Sequence, residues 1–185
     1  MIDYRQGVTL GTIDHFNLNL LREWRNDPKI FKWTRQHDLL DEASHYSWAE
    51  RLPNDPTLKM YLIYDRNKNE IGVCGLTSLD LINRTAEFSL YIASKYQKRG
   101  YGEAALKTLL SHGFLTYGLY QIWGETFENN PAQHLFKKLG FHVNEGPGKC
   151  YFKEGKHIKS YFLSMLIDEW KHLSIFNDCR VLCST

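Results

Sequence analysis

Ala86-Glu-Phe-Ser-Leu-Tyr-Ile92 leads through Gln97-Lys-Arg-Gly-Tyr-Gly102 into the stretch Tyr101 to Tyr117, and then into Leu119 to Phe127. The first segment alternates its side chains and reads as a strand. Between Tyr101 and Tyr117, Ala105, Leu106, Leu109, Leu110 and Phe114 fall on one face of a helix. Leu119 to Phe127 returns to strand character. A strand-helix-strand unit over residues 86 to 127 is a crossover connection, which makes its strands parallel and right-handed.

Upstream, the pattern is a meander. Leu58 to Asp65 reads as a strand that is apolar on both faces, Asp65-Arg-Asn-Lys-Asn69 as a polar turn, and Ile71 to Leu79 as a second strand. Ile82-Asn-Arg-Thr85 turns the chain into Ala86 to Ile92, so the three strands run antiparallel. Earlier still, Val8 to Ile13 is a short first strand. Asp14 is placed to cap a helix with Phe16, Leu20, Leu21 and Trp24 on one stripe, ending near Asn26-Asp27-Pro28. A second helical segment, Glu42 to Leu52, stops at Pro53.

Downstream, Asn130 caps a compact helix, Pro131 suits its first turn, Ala132, Leu135, Phe136 and Leu139 form its stripe, and Gly140 ends it. Two strands close the chain around Lys153-Glu-Gly-Lys156, the second running Ile158 to Ile167. The expected fold is α+β: a mixed, mostly antiparallel sheet flanked by helices, with one central β-α-β unit. Residues 1–167 form the domain. The tail 168–185, with Trp170, Leu173, Ile175 and Phe176, packs on it or at a contact with a second copy.

The loop Gln97 to Gly102 carries the most chemistry. The first amides of a helix have no intrahelical partners and bear partial positive charge. Gly100 and Gly102 let an anion approach the backbone, and Lys95, Lys98 and Arg99 add charge beside it. Together they describe a diphosphate cradle. A solvated turn with a glycine-tolerant helix start is the plain alternative. A Walker loop is excluded, because no Gly-Lys-Ser/Thr follows. Gly100-Tyr-Gly102-Glu-Ala-Ala105 does match a dinucleotide fingerprint, with Glu125 near the spacing of a ribose-binding acid. Context opposes that reading. The basic stretch Ser94 to Arg99 separates the strand from the first glycine, and no further β-α repeats follow.

Composition narrows the function classes. The 185 residues suit one domain, and 43% hydrophobic with 24% charged residues excludes disorder as the main state. A formal charge of +2 is too mild for a nucleic-acid binder. Apolar runs fall far short of the ~18–20 residues of a membrane span. The first residues lack a secretory pattern. Cys74, Cys150, Cys179 and Cys183 lack zinc-like paired spacing. A cytoplasmic protein without metal, membrane or nucleic-acid partner is the expectation.

In this order and spacing, the segments resemble the GNAT acetyltransferase superfamily over roughly residues 7 to 167. Gln97, Gly100 and Gly102 satisfy its Gln/Arg-x-x-Gly-x-Gly/Ala pattern. The resemblance also includes Ala86 to Ile92, Glu128-Asn-Asn-Pro-Ala132 and Leu135-Phe-Lys-Lys-Leu-Gly-Phe141. Trp24-Arg-Asn-Asp-Pro28 looks like the opening of the branch that includes ribosomal-protein N-terminal, spermidine and nucleotide-sugar amine acetyltransferases. The resemblance implies acetyl-CoA as co-substrate. Leu90, Tyr91 and Ile92 would meet its pantetheine arm and thioester carbonyl. Gln97, Lys98, Arg99, Gly100, Tyr101 and Gly102 would hold its pyrophosphate, and Asn129 its pantetheine chain. Asn129 also suits a capping role shared with Asn130. Trp24, Arg25 and Asn26 would line the acceptor side. Many relatives carry tyrosine, as a proton donor to the leaving thiolate, where this chain has Phe136.

Acetyl transfer requires a neutral amine, so a base is useful. Glu87 alternates with the apolar residues of its strand and shares the opposite face with Ser89 and Tyr91, which makes it the candidate. A salt bridge to Arg84 or another sheet residue is the competing role. His134 and the lone His37 and His45 read as structural or surface residues, and Cys74 as a small hydrophobe. The expected activity is N-acetyl transfer to a primary amine by direct attack in a ternary complex. The acceptor is a small-molecule amine (amino sugar or polyamine) or a protein N-terminus. A CoA-binding sensor without chemistry and a nicotinamide oxidoreductase are the rival readings.

Overall fold

Short polar side chains lock the turns that make the sheet. Asp65 accepts hydrogen bonds from the backbone amides of Asn67 and Asn69, both at 2.9 Å, and Asp80 accepts from Ile82 and Asn83 at 2.9 and 2.8 Å. Such side-chain mimicry of a turn is what Asp and Asn do well. Each turn lies between antiparallel neighbours among β2 (Lys59–Tyr64), β3 (Glu70–Asp80) and β4 (Thr85–Ile92). The structure, a computed structural model, describes residues 7–144, 146 and 148–173. Before the meander come β1 (Thr9–Gly11), α1 (Leu18–Asn26), α2 (Pro28–Phe31) and α3 (Glu42–Arg51). After it come α4 (Tyr101–Ser111), β5 (Gln121–Phe127), α5 (Gln133–Lys138), β6 (His142–Asn144), β7 (Cys150–Lys153), β8 (Lys156–Leu166) and α6 (Ile167–His172).

The strand order is β1-β2-β3-β4-β5-β8-β6, with β7 also paired to β8. β4 and β5 are parallel across the α4 crossover, and the other pairings are antiparallel. This is the α+β, mostly antiparallel mixed sheet expected from the pattern. It has none of the repeated parallel units on which the dinucleotide reading would depend.

Both faces of the sheet are covered, so its central strands bury apolar residues on both sides. On β2, Leu62 joins one cluster with Leu21, Trp24, Ile30 and Val73, beneath α1 and α2. Its neighbour Ile63 joins the other, with Cys74, Leu106, Leu109, Phe136 and Trp170, beneath α4, α5 and α6. Alternation along a strand sends adjacent residues to opposite layers, and here each layer has its own helices. Burial pushes the Cys74 thiol up to about 12. That agrees with its reading as a small hydrophobe.

Several boundaries differ from expectation. Asp14 accepts from the Phe16 amide while its own amide donates to Asn17 Oδ1, forming a turn that delays α1 to Leu18. The buried stripe is therefore Leu18, Leu21 and Trp24, and Phe16 is left exposed. Asn26-Asp27-Pro28 ends α1 but also starts α2, because Asp27 accepts from the Lys29 amide and Pro28 occupies the first turn. The helix read to Tyr117 widens into a π turn at His112–Thr116. β6, absent from the pattern reading, is a three-residue edge strand. The tail expected from residue 168 opens as α6, and Trp170 is fully buried with its ring 5.2 Å from Phe114. Ile175, Phe176, Cys179 and Cys183 lie outside the described residues. No helix among the described residues is long and apolar enough to cross a membrane.

Candidate active site

The β4–β5 ladder is short. Thr85, Ala86 and Glu87 pair with Gln121, Ile122 and Trp123, and the ladder ends there. Beyond it, β4 stays paired to β3 through Ile92, and β5 to β8 through Phe127. The two strands therefore part in the middle of the sheet. One cause is visible in the core: the Phe88 ring crosses Gly124, where a Cβ would lie 2.4 Å from Phe88 Cε1. Phe88 is held there by Phe136 and Phe141, with centroids at 5.3 and 5.2 Å. Leu90, Tyr91 and Ile92 form the β4 side of the gap. Their backbone edge facing β5 is left out of the ladder, which is what an extended ligand would use.

Past the end of β4, a 3₁₀ turn (Ser94–Tyr96) leads to the cradle. Gly100 caps α4 with φ +83°, a left-handed conformation that glycine adopts without strain. The first intrahelical bond of α4 runs from the Ala104 amide to the Gly100 carbonyl at 3.1 Å. The amides of Tyr101, Gly102 and Glu103 precede it and face out of the helix N-terminus. At Gly102 a Cβ would meet nothing nearer than Leu135 Cδ2 at 3.5 Å. Protein packing does not demand that glycine, so the space above it is available to a ligand. Gln97 turns inward and donates to the Ile92 carbonyl at 2.9 Å, bracing the loop on the end of β4. Lys98 and Arg99 are exposed, and the Arg99 guanidinium lies 5.8 Å from the Tyr96 ring centroid.

Glu87 stands at the point where the strands part. Its side chain is 9% exposed and accepts from Arg35 Nη2 at 2.6 Å, with the Thr77 hydroxyl at 3.5 Å. The other end of the guanidinium, Nη1, donates to Glu125 at 3.0 Å. Glu125 also accepts from the hydroxyls of Tyr151 and Ser160. Arg35 thus bridges two buried carboxylates from neighbouring strands. Burial raises the Glu87 pKa, Arg35 pulls it back, Glu125 raises it again, and the net displacement is upward. At Arg35 burial works against the charge, but Glu87 and Glu125 outweigh it and raise its pKa. Arg84, the partner suggested by sequence proximity, donates instead to the Gly118 carbonyl at 2.7 Å.

The chain from α1 to Leu40 packs beside Tyr91 and Glu87. Trp24 is turned into the core, 8% exposed, among Leu21, Ile30 and Leu62. Asn26 holds Leu40 at both amide positions, donating to its carbonyl at 2.9 Å and accepting from its amide at 2.8 Å. Of the residues expected on the acceptor side, Trp24 is buried in the core and Asn26 braces Leu40. Arg25 lies 5.7 Å over the Tyr91 ring and donates to Gln36 at 3.2 Å. Burial lowers its pKa, against the effect of Tyr91. Burial raises that of Tyr91.

Asn130 accepts from the Ala132 amide at 3.0 Å in a turn that precedes α5; the helix starts at Gln133 with Ala132 as its N-cap and no side-chain cap, so the cap expected at Asn130 is not formed. Asn129 is exposed with φ +63°. Phe136 is buried against Phe88 and Phe141, and His134 is exposed. Among the described residues, no group of three His, Cys, Asp or Glu is placed to hold a metal ion.

The sequence singled out Glu87 and the loop Gln97 to Gly102 as candidates but gave no sign of Arg35 as the bridge, and Glu125 entered only as a ribose-binding acid. Strand alternation puts Glu125 on the Trp123 face. Only the parallel register, which sets Trp123 opposite Glu87, brings that face beside Glu87.

Residues 9–142 match the family model described as Acetyltransferase (GNAT) domain. The spermidine N(1)-acetyltransferase of Vibrio cholerae is 27% identical over 142 residues, 75% of this chain and 80% of that protein. An uncharacterized N-acetyltransferase, p20, of Bacillus licheniformis is 25% identical over 174 residues, 90% of this chain and 97% of that protein. The crystal structure of the Vibrio cholerae spermidine N-acetyltransferase in complex with CoA and spermine has the same fold. It aligns with a TM-score of 0.83 at 21% identity, over 88% of this chain and 97% of that one. A parted β4–β5 pair, a glycine-capped helix N-terminus beyond it and a family match over most of the chain converge on one assignment: this chain belongs to the GNAT acetyltransferase family.

Proposed function

We propose that this N-acetyltransferase takes its acetyl group from acetyl-CoA and passes it to a small-molecule primary amine by direct attack, with both substrates bound at once. The parting of β4 and β5 beside Glu87, in line with the α4 N-terminus, carries the reading. When bound, acetyl-CoA supplies an activated thioester. The residues suit it: outward-facing amides at Tyr101, Gly102 and Glu103 with Lys98 and Arg99 for the diphosphate, and the β4 edge from Leu90 to Ile92, unpaired with β5 and braced by Gln97 at the Ile92 carbonyl, for the pantetheine arm. Asn129, exposed just ahead of α5, would meet the pantetheine chain.

The acceptor reaches the site as an ammonium, since an alkyl amine has a pKa near ~10. In its carboxylate form Glu87, screened from bulk water, attracts that cation and takes up its proton, directly or through one water. The freed lone pair forms the new C–N bond as the C–S bond breaks, and the nitrogen's remaining extra proton passes through water to the departing sulfur. Phe136 has no proton to give, so the leaving thiolate departs unassisted or takes its proton from water; a thiol pKa near ~8.5 tolerates this. Two carboxylates, Glu87 and Glu125, against the one guanidinium of Arg35 leave the cluster net negative, which suits a cationic amine of polyamine or amino-sugar type. The relatives named for spermidine point the same way.

The test is thiol release from acetyl-CoA across a panel of diamines, polyamines, amino sugars and peptides with free N-termini. Release with a cationic small amine is expected, and silence with every amine defeats the reading. Phe136 favours one alternative, a CoA-binding domain without turnover, which predicts tight CoA binding with no release.

A further inference from the structure

The loop that carries Arg35 is held from an element remote in sequence. Lys153, at the end of β7, is 4% exposed, and its ammonium donates to three carbonyls: Phe31 at 2.6 Å, Thr34 at 2.8 Å and Gln36 at 3.0 Å. An ammonium has three protons, and three oxygens of one loop receive them. The Phe31 ring covers the same group at 3.9 Å. Burying an ammonium is costly unless it is fully hydrogen-bonded, so this arrangement is a built site rather than a chance contact. One of the three, the Phe31 carbonyl, ends α2 and also accepts from Thr34. On its α1 side the loop is tied by Arg25 to Gln36 and by Asn26 to Leu40. Arg35 lies inside the span that Lys153 gathers.

We propose that Lys153 is a positioning residue for acetyl transfer: by drawing the carbonyls of Phe31, Thr34 and Gln36 together it sets Arg35 between Glu87 and Glu125, and so fixes the base. The inference rests on the reading of Glu87 as that base. Lys153 is about 120 residues from Arg35 in sequence and acts only through the loop. The charged and titratable groups around Glu87 are Arg35 from the loop and Glu125 from β5, with Tyr151 of β7 on Glu125. Those acting on Lys153 are Glu154 beside it and Arg25 from α1.

Two readouts test the relay. The first is ¹³C NMR titration of the Glu87 carboxyl in the CoA-free protein. The second is the pH profile of kcat/KM. Both are measured for wild type, Lys153→Met, Lys153→Gln, Arg35→Gln and the Lys153→Met/Arg35→Gln double variant. Loss of the guanidinium moves the Glu87 midpoint up by about 1 pH unit, since a cation in contact favours the carboxylate. Lys153→Met moves it the same way, and the double variant moves no further than Arg35→Gln alone. Lys153→Gln keeps an amide donor and falls between; if Lys153→Met fails to fold, this variant carries the test. A folded Lys153 variant with the wild-type midpoint overturns the proposal, as do two shifts that add. A wild type that transfers acetyl to no amine defeats the transferase reading, while the titration separately decides whether Lys153 governs Glu87.

Discussion

Gly102→Asp separates what the fold needs from what the ligand needs. A Cβ at this position meets Leu135 Cδ2 at 3.5 Å and Ile92 Cγ1 at 3.8 Å, ordinary contacts that displace nothing. A carboxylate in the first turn of α4 complements the helix dipole and adds about 0.3–1 kcal/mol of stability. The same charge stands where the diphosphate is to bind. At about 5 Å from two phosphate charges in a water-like dielectric, the repulsion comes to about 2 kcal/mol, or about thirtyfold in affinity. The assays are urea unfolding and isothermal titration with CoA at low salt. The variant should unfold at equal or higher urea while binding CoA about thirtyfold more weakly, and the binding gap should narrow as salt is raised. Gly100→Ala gives the contrast. At φ +83° a side chain is strained, so it loses about 1–2 kcal/mol of stability. Wild-type CoA affinity in folded Gly102→Asp would refute the cradle.

Glu87→Gln should lower kcat by about 10²-fold or more through loss of a base. Its CoA affinity should be unchanged, as titration calorimetry will show; unchanged turnover across pH removes Glu87 from the chemistry. Gly124→Ala drives a methyl to 2.4 Å from a Phe88 ring already held by Phe136 and Phe141, so urea denaturation should show a loss of about 1–3 kcal/mol. His45 is buried and stacked on Trp48. Burial lowers its pKa below 6.5, opposed by the hydrogen bond to the Leu18 backbone and helped by Arg22 and Arg25. A lowered folded pKa means stability that is complete above pH 6.5 and lost as pH falls through the folded value. Urea midpoints measured between pH 7 and pH 5 should therefore fall less steeply in His45→Phe than in wild type. Parallel slopes would show that the ring is not held neutral.

The parts of the site that were legible in advance are those that local rules govern. The cradle needs a helix start, two glycines and adjacent cations, all contiguous from Gln97 to Gly102. Glu87 is marked by alternation alone, as an acid in an otherwise apolar strand. Phe136 is legible as a missing hydroxyl because the α5 motif places it. Asp14 shows how local rules mislead: it is a good helix cap by type, but its reciprocal turn with Asn17 begins the helix later and leaves Phe16 outside.

From composition and pattern alone came the α+β class, the meander, the single crossover and the glycine-capped start of α4, because each depends on residues within a few turns of one another. The partners of Glu87 came only with the folded chain. Arg35 is 52 residues from Glu87, Glu125 enters through the β4–β5 register, and Lys153 reaches the Arg35 loop from 117 to 122 residues away. A buried carboxylate in a strand announces that some cation must compensate it. Which cation does so depends on which distant backbone segments the two packed layers bring together, and a one-dimensional pattern does not contain that.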